Sequence, residues 1–91
     1  MPEEKLLNFG EALEALKKGK KVSRKGWNGA NMFVYLVPAA KYKSVTDIAK
    51  KEFGEETEYN PYLALKTVTG KVSTWAPSVS DALAEDWEIL D

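Results

Sequence analysis

A small α+β protein is the fold class that the sequence predicts: a mostly antiparallel sheet with an N-terminal helix and two shorter helices, in the order α-β-β-α-β-β-α-β. Three observations carry this. A capped stretch with helical apolar spacing begins at Asn8, a run of β-branched and aromatic residues fills 32–37, and two β-rich segments flank Thr69-Gly70 like the arms of a hairpin.

The first helix is expected over residues 9–18. Asn8 with Glu11 three residues on matches a capping box, and Leu7 is available as a hydrophobic staple. Phe9, Ala12, Leu13 and Leu16 then recur on one helical face, while Lys17, Lys18 and Gly19 suit a helix C-terminus. Val22 opens a short strand leading to Arg24-Lys25-Gly26-Trp27-Asn28-Gly29, where two glycines and an Asn-Gly pair mark a turn. The run Met32-Phe33-Val34-Tyr35-Leu36-Val37 reads as a strand covered on both faces, stopped by Pro38.

Residues of about 38–60 read as a variable insertion between strands. Ser44 and Asp47 can open a second helix with Val45, Ile48, Ala49 and Phe53 on one face and Gly54 at its end. Glu55 to Pro61 is expected to be an exposed loop. Tyr62 to Val68 and Lys71 to Trp75 form the next two strands around a two-residue loop, although Thr-Gly is less diagnostic than Asn-Gly. Ser78 and Asp81 can cap a short helix through about Glu85, and Asp86 to Leu90 close the chain as a strand.

The composition bounds the function. Ninety-one residues, 44% hydrophobic and 30% charged, make a single domain over 1–91 near the low end of sizes that fold alone. A core of that size supplies roughly a few kcal/mol, and with no cysteine to cross-link it, self-association is a natural source of further burial. A net charge of -1 argues against a duplex nucleic-acid partner. No apolar stretch approaches the ~20 residues of a membrane helix, and Met1-Pro2-Glu3-Glu4-Lys5 does not look like a signal peptide, so a cytosolic protein is expected. Histidine and cysteine are both absent. Serine–histidine triads, H-E-x-x-H zinc sites and C-x-x-C motifs are therefore excluded, and no G-x-G-x-x-G or P-loop occurs. Carboxylate or lysine chemistry remains formally open, but nothing singles it out. The expectation is a binding protein, not an enzyme, with no catalytic residue, metal site or cofactor.

Trp27 and Trp75 both lie at strand–turn junctions. Each either presents a flat face on which a nucleobase can stack or plugs the end of a small core. Trp87, beside Ile89 within a strand, reads as core. The cluster Lys17, Lys18, Lys20, Lys21, Arg24 and Lys25 is either a solvated helix end or, at Arg24, a guanidinium placed to fork onto a phosphate. Asp81 either favours its own helix N-terminus or accepts hydrogen bonds from a ribose or a base amine, with Ser78 and Ser80 nearby.

Four stretches resemble one family throughout: Asn8-Phe9-Gly10-Glu11-Ala12-Leu13, Lys20-Lys21-Val22-Ser23-Arg24-Lys25-Gly26-Trp27-Asn28-Gly29, Pro61-Tyr62-Leu63-Ala64-Leu65-Lys66-Thr67 and Leu83-Ala84-Glu85-Asp86-Trp87-Glu88-Ile89. It is the Thoeris anti-defence protein two family of phages and prophages. The combination of R-x-G-W-N-G with a D-W-x-I ending is more specific than either alone, and the resemblance covers nearly the whole chain outside about 38–60. It implies a non-enzymatic sponge that sequesters a cyclic ADP-ribose-type signal of bacterial Thoeris immunity in the cytoplasm of the infected host, with cyclic oligonucleotide signals held by some members. It also implies a homo-oligomer, typically a tetramer, with pockets near subunit boundaries. The ligand-binding set expected here is Phe9, Arg24, Trp27, Met32, Trp75 and Asp81, with Arg24 on the pyrophosphate and Asp81 on a hydroxyl or amine. Where the family often shows Ser-Gln-Thr-Asp, this chain has Ser78-Val79-Ser80-Asp81, and Val79 removes an amide. The alternative is a phage adaptor that docks on a host enzyme.

Overall fold

A computed structural model of the chain describes residues 6–27 and 31–90. The N-terminal stretch Met1–Lys5 and the Asn28-Gly29 pair fall outside the described residues. The elements run α1 (Phe9–Lys17), β1 (Lys21–Arg24), β2 (Phe33–Val37), β3 (Ala40–Lys43), α2 (Asp47–Phe53), β4 (Glu56–Tyr59), β5 (Tyr62–Lys66), β6 (Val72–Thr74), α3 (Val79–Leu83) and β7 (Trp87–Leu90). The class is the α+β fold expected, with β3 and β4 added to the predicted order.

The capping box forms as read from the sequence. The Glu11 amide donates to Asn8 Oδ1 at 2.8 Å, and the Asn8 amide donates to Glu11 Oε1 at 3.1 Å. Ala12, Ala15 and Leu16 are buried against Val22 and Val34 of the sheet, with Phe9 and Leu13 at the margin. Leu7 does more than staple the helix start. Its amide donates to the Trp87 carbonyl at 2.7 Å and its carbonyl accepts from the Trp87 amide at 3.1 Å, which protects part of an edge strand.

Five strands make one antiparallel sheet in the order β6-β5-β2-β1-β7. Because side chains alternate along a strand, the register Val22↔Val34 and Val34↔Leu65 fixes which residues share a face. Val22, Val34, Leu63, Leu65 and Trp87 point towards α1 and the core. Phe33, Tyr35 and Val37, with Lys21 and Lys66, stand on the opposite face. No helix among the described residues covers that side: only α1 packs on the five-stranded sheet, α3 packs on α1, and α2 packs on β4. The expectation that both faces of residues 32–37 are covered therefore holds for one face only within this chain.

Residues 38–60 form a projecting arm in which the expected helix is framed by two strands, β3 and β4. Pro38 and Pro61 interrupt the β2–β5 ladder after Val37↔Tyr62, and pairing resumes at Ala40↔Tyr59. Glu55 to Pro61, expected as a loop, contains β4. Its Glu58 and Glu56 face Lys41 and Lys43 of β3, opposite-charge cross-strand pairs that become legible only once the register is known. The helix inside the arm is capped by Thr46, whose hydroxyl accepts from the Ala49 amide at 3.0 Å, and is ended by Gly54 at φ +84°. Ser44, expected as a cap, is instead buried, its hydroxyl 2.7 Å from that of Thr57. The arm gives the molecule a long axis of 56 Å against 25 Å in the other two directions.

The β5–β6 hairpin also differs by one residue. The Thr67 amide donates to the Lys71 carbonyl at 2.7 Å, and Gly70 lies at φ +85°. The loop is the three residues Val68 to Gly70, which absorb the left-handed position in a bulge instead of a two-residue turn.

Candidate functional site

The pairing of Arg24 with Trp87 brings the end of β1 alongside the start of β7. Around that point four aromatic rings meet. Trp87 is the hub and is fully buried, with ring centroids 5.4 Å from Phe9, 5.4 Å from Trp27 and 6.0 Å from Trp75. Trp75 lies 6.2 Å from Phe9 and 6.4 Å from Trp27. All five pairs are tilted or edge-on, the arrangement that aromatic quadrupoles favour. Phe9, Trp27 and Trp75 remain half-buried, so each packs on the hub and keeps some surface towards water.

Asp81 organises this cluster through its polar edges. The Trp87 indole N–H donates to the Asp81 carbonyl at 2.9 Å, and the Trp27 indole N–H reaches Asp81 Oδ1 at 3.4 Å. The same carboxylate completes a capping box at α3, accepting from the Ser78 amide at 3.1 Å while the Ser78 hydroxyl accepts from the Asp81 amide at 3.1 Å. Arg24 Nη1 donates to Asp81 Oδ1 at 3.0 Å, and Arg24 Nε donates to Asp86 Oδ1 at 2.8 Å. Asp86 in turn accepts from the Gly26 amide at 3.0 Å, and its carbonyl accepts from the Lys25 amide at 2.9 Å. A Cβ on Gly26 would meet Asp86 Oδ2 at 2.9 Å, so glycine is what lets the turn approach the acid.

The protonation equilibria follow from this geometry. Hydrogen bonds donated to Asp86 first and Asp81 second push the Arg24 guanidinium above its ordinary value. Burial pushes Asp81 up, but the Ser78 amide, Arg24, the Ser78 hydroxyl and Trp27 together outweigh it and hold the carboxyl below the usual range. Arg24 is the main cause of the downward shift at Asp86, against a smaller opposing effect of burial.

The six residues expected to bind ligand are thus mostly gathered around Trp87. Phe9, Trp27 and Trp75 touch the hub, and Asp81 and Arg24 brace it. Met32 joins from the side, where a shallow hollow of about 280 Å³ takes in Arg24, Trp27 and Met32 but not Phe9, Trp75 or Asp81. The tryptophans close the end of the core, one of the two readings of them, and keep part of their surface exposed. The phosphate-forking reading of Arg24 meets a guanidinium already held by two carboxylates, one of them the Asp81 expected to serve the ligand separately. Val79 points into solvent at 76% exposure and touches none of this.

Sequence reasoning misses Asp86 as a partner. It stands in the D-W-x-I ending without a role, because only the β1–β7 register, which pairs Arg24 with Trp87, brings it beside Arg24. Trp87 reads as plain core, yet its indole N–H also holds the segment that carries Asp81.

Fold and site together define a small α+β domain that gathers three tryptophans into one cluster against an antiparallel sheet and braces them with an arginine between two acids. The chain belongs to the Thoeris anti-defense 2-like domain family, whose model matches residues 7–90. It is similar to the Thoeris anti-defense 2 protein of Bacillus phage SP01, with 42% identity over 84 residues, 92% of this chain and 94% of that protein. The span matched by the family model runs through the arm at 38–60.

Proposed function

We propose that this chain counters Thoeris defence by binding and sequestering a cyclic ADP-ribose-type signalling nucleotide without cleaving it, in the cytoplasm of an infected bacterium. The reading extends to cyclic oligonucleotide signals and to a homo-oligomer, a tetramer, as the working form. The observation that carries it is the pair of half-buried indoles, Trp27 and Trp75, packed on the buried Trp87. Such rings offer π-faces to a purine at little entropic cost, since Trp87 and Asp81 already fix them. Arg24 then contributes by holding Asp81 and the turn that carries Trp27, a change from the direct phosphate contact expected from sequence. A chain without histidine or cysteine suits retention better than turnover.

The test is to incubate the protein with cyclic ADP-ribose isomers, remove free nucleotide, denature the protein and identify what is released. Intact nucleotide supports sequestration, a hydrolysed product would make the chain an enzyme, and no retained nucleotide would favour the adaptor that docks on a host protein. In the folded variants Trp27→Ala and Trp75→Ala, binding should weaken by about 1–3 kcal/mol per lost stacking ring, read by calorimetry.

A further inference from the structure

Three consecutive residues, Arg24, Lys25 and Gly26, each bond to a different oxygen of Asp86. Arg24 Nε donates to Oδ1 at 2.8 Å, the Lys25 amide to the carbonyl at 2.9 Å and the Gly26 amide to Oδ2 at 3.0 Å. The Trp27 amide then closes the turn on the Arg24 carbonyl at 3.1 Å. Trp27 thus stands at the end of a turn that one acid holds at each of the three preceding positions. Asp86 is also the residue directly before Trp87, so the turn is tied to the hub on which the Trp27 ring packs.

The Trp27 ring has a second tether in the bond from its indole N–H to Asp81 Oδ1. At 3.4 Å that bond is long, and its oxygen also accepts from Arg24 at 3.0 Å. It can steer the edge of the ring but cannot set the backbone that carries it. The turn itself leaves little room for another arrangement. A methyl on Gly26 would meet Asp86 Oδ2 at 2.9 Å, so backbone and carboxylate are already in close contact.

We infer that Asp86 is a positioning residue of the nucleotide site: it sets the Trp27 indole for stacking by holding the turn, and it does so without contacting the ligand. The inference rests on the sequestration reading proposed above and adds a residue outside the expected ligand set. All three Asp86 oxygens face the turn, which suits support better than direct recognition. A turn that must be ordered as the ligand arrives subtracts that ordering from the affinity, whereas a turn ordered beforehand does not. Without the Asp86 carboxylate, the stacking-competent turn is populated only part of the time, and the apparent affinity falls by that fraction.

The test is a double-mutant cycle between Asp86→Ala and Trp27→Ala, with calorimetry on the cyclic ADP-ribose isomer that the release assay recovers. Asp86→Ala should weaken binding about tenfold when Trp27 is present. In the Trp27→Ala background it should change binding by less than about twofold, because the ring it serves is gone. Losses that simply add would place Asp86 on the ligand or in general stability and overturn the inference. Asp86→Asn keeps one acceptor oxygen and should fall between parent and Asp86→Ala, and it carries the cycle if the alanine variant does not fold. A second readout needs no nucleotide. By NMR, cross-peaks between the Trp27 and Trp87 rings should weaken in Asp86→Ala, and the Trp27 amide should exchange several-fold faster while the Val22 and Val34 amides hold. Unchanged cross-peaks and exchange would overturn the placement of Trp27 by Asp86. A parent that retains no nucleotide would instead remove the sequestration reading, and with it the binding half of the inference, while the NMR result still decides the placement.

Discussion

The aromatic end of the domain and the projecting arm both carry large apolar residues and use them in opposite ways. At the aromatic end, Trp87 is fully buried, Phe9, Trp27 and Trp75 pack around it, and each polar edge described there has a partner. In the arm the large apolar side chains face outward, and what is buried is a pair of hydroxyls, Ser44 and Thr57. One region is held by dispersion and desolvation. The other is held by a ribbon of backbone hydrogen bonds and one buried side-chain bond. Apolar content therefore says little about local stability until it is known what the residues are packed against.

The comparison can be broken most severely at the hub. Trp87→Ala should cost about 3–5 kcal/mol, close to the whole margin of a domain this small, and should lower the denaturant midpoint of the entire chain. If the variant kept its midpoint, the aromatic end would not be the centre of stability. Next in size, Asp86→Asn should cost about 1–2 kcal/mol in urea unfolding, because it weakens the bonds to Arg24 and Gly26 at a site that water still reaches. Gly26→Ala should act in the same direction, since its methyl would crowd the same carboxylate.

Acid sharpens the same contrast. Asp81 and Asp86 both titrate below their ordinary value of 3.8 when folded. A depressed carboxyl contributes stability that is complete above the unfolded value and is lost as pH falls through the folded one. The urea midpoint should therefore hold steady down to about pH 5 and decline below about pH 4, and Asp81→Asn should shallow that decline. The smallest effect belongs to the arm. Thr57→Val leaves the Ser44 hydroxyl without its partner and should cost about 1 kcal/mol locally. Amide exchange should then quicken across β3 and β4, while the global midpoint stays where it was.

Much of this is legible in the sequence. Elements announced by local chemistry come through: the Asn8–Glu11 box, Gly19 after α1, Ser78 with Asp81 at α3, and the central run at 33–37. What fails is whatever depends on pairing between distant segments. Glu55 to Tyr59 is polar and acidic and reads as loop until its glutamates are set opposite Lys41 and Lys43. Asp86 reads only as the start of the last strand until β7 lies beside β1. The site shows the same split. The tryptophans stand out by type and position, but the ion pairs that commit Arg24 to Asp81 and Asp86 span 57 and 62 residues of sequence, beyond the reach of any local pattern.

The meeting of three indoles has an optical consequence. Trp27, Trp75 and Trp87 are all the tryptophans in the chain, and their ring centres lie within 6.4 Å of one another. At such separations excitation is shared among the rings, so near-ultraviolet emission and dichroism arise from a single coupled chromophore, not from three independent ones. The arm, with Tyr42 against Tyr59, is dark in a tryptophan-selective measurement. The domain thus carries its own spectroscopic gauge around Trp87, blind to events in the arm.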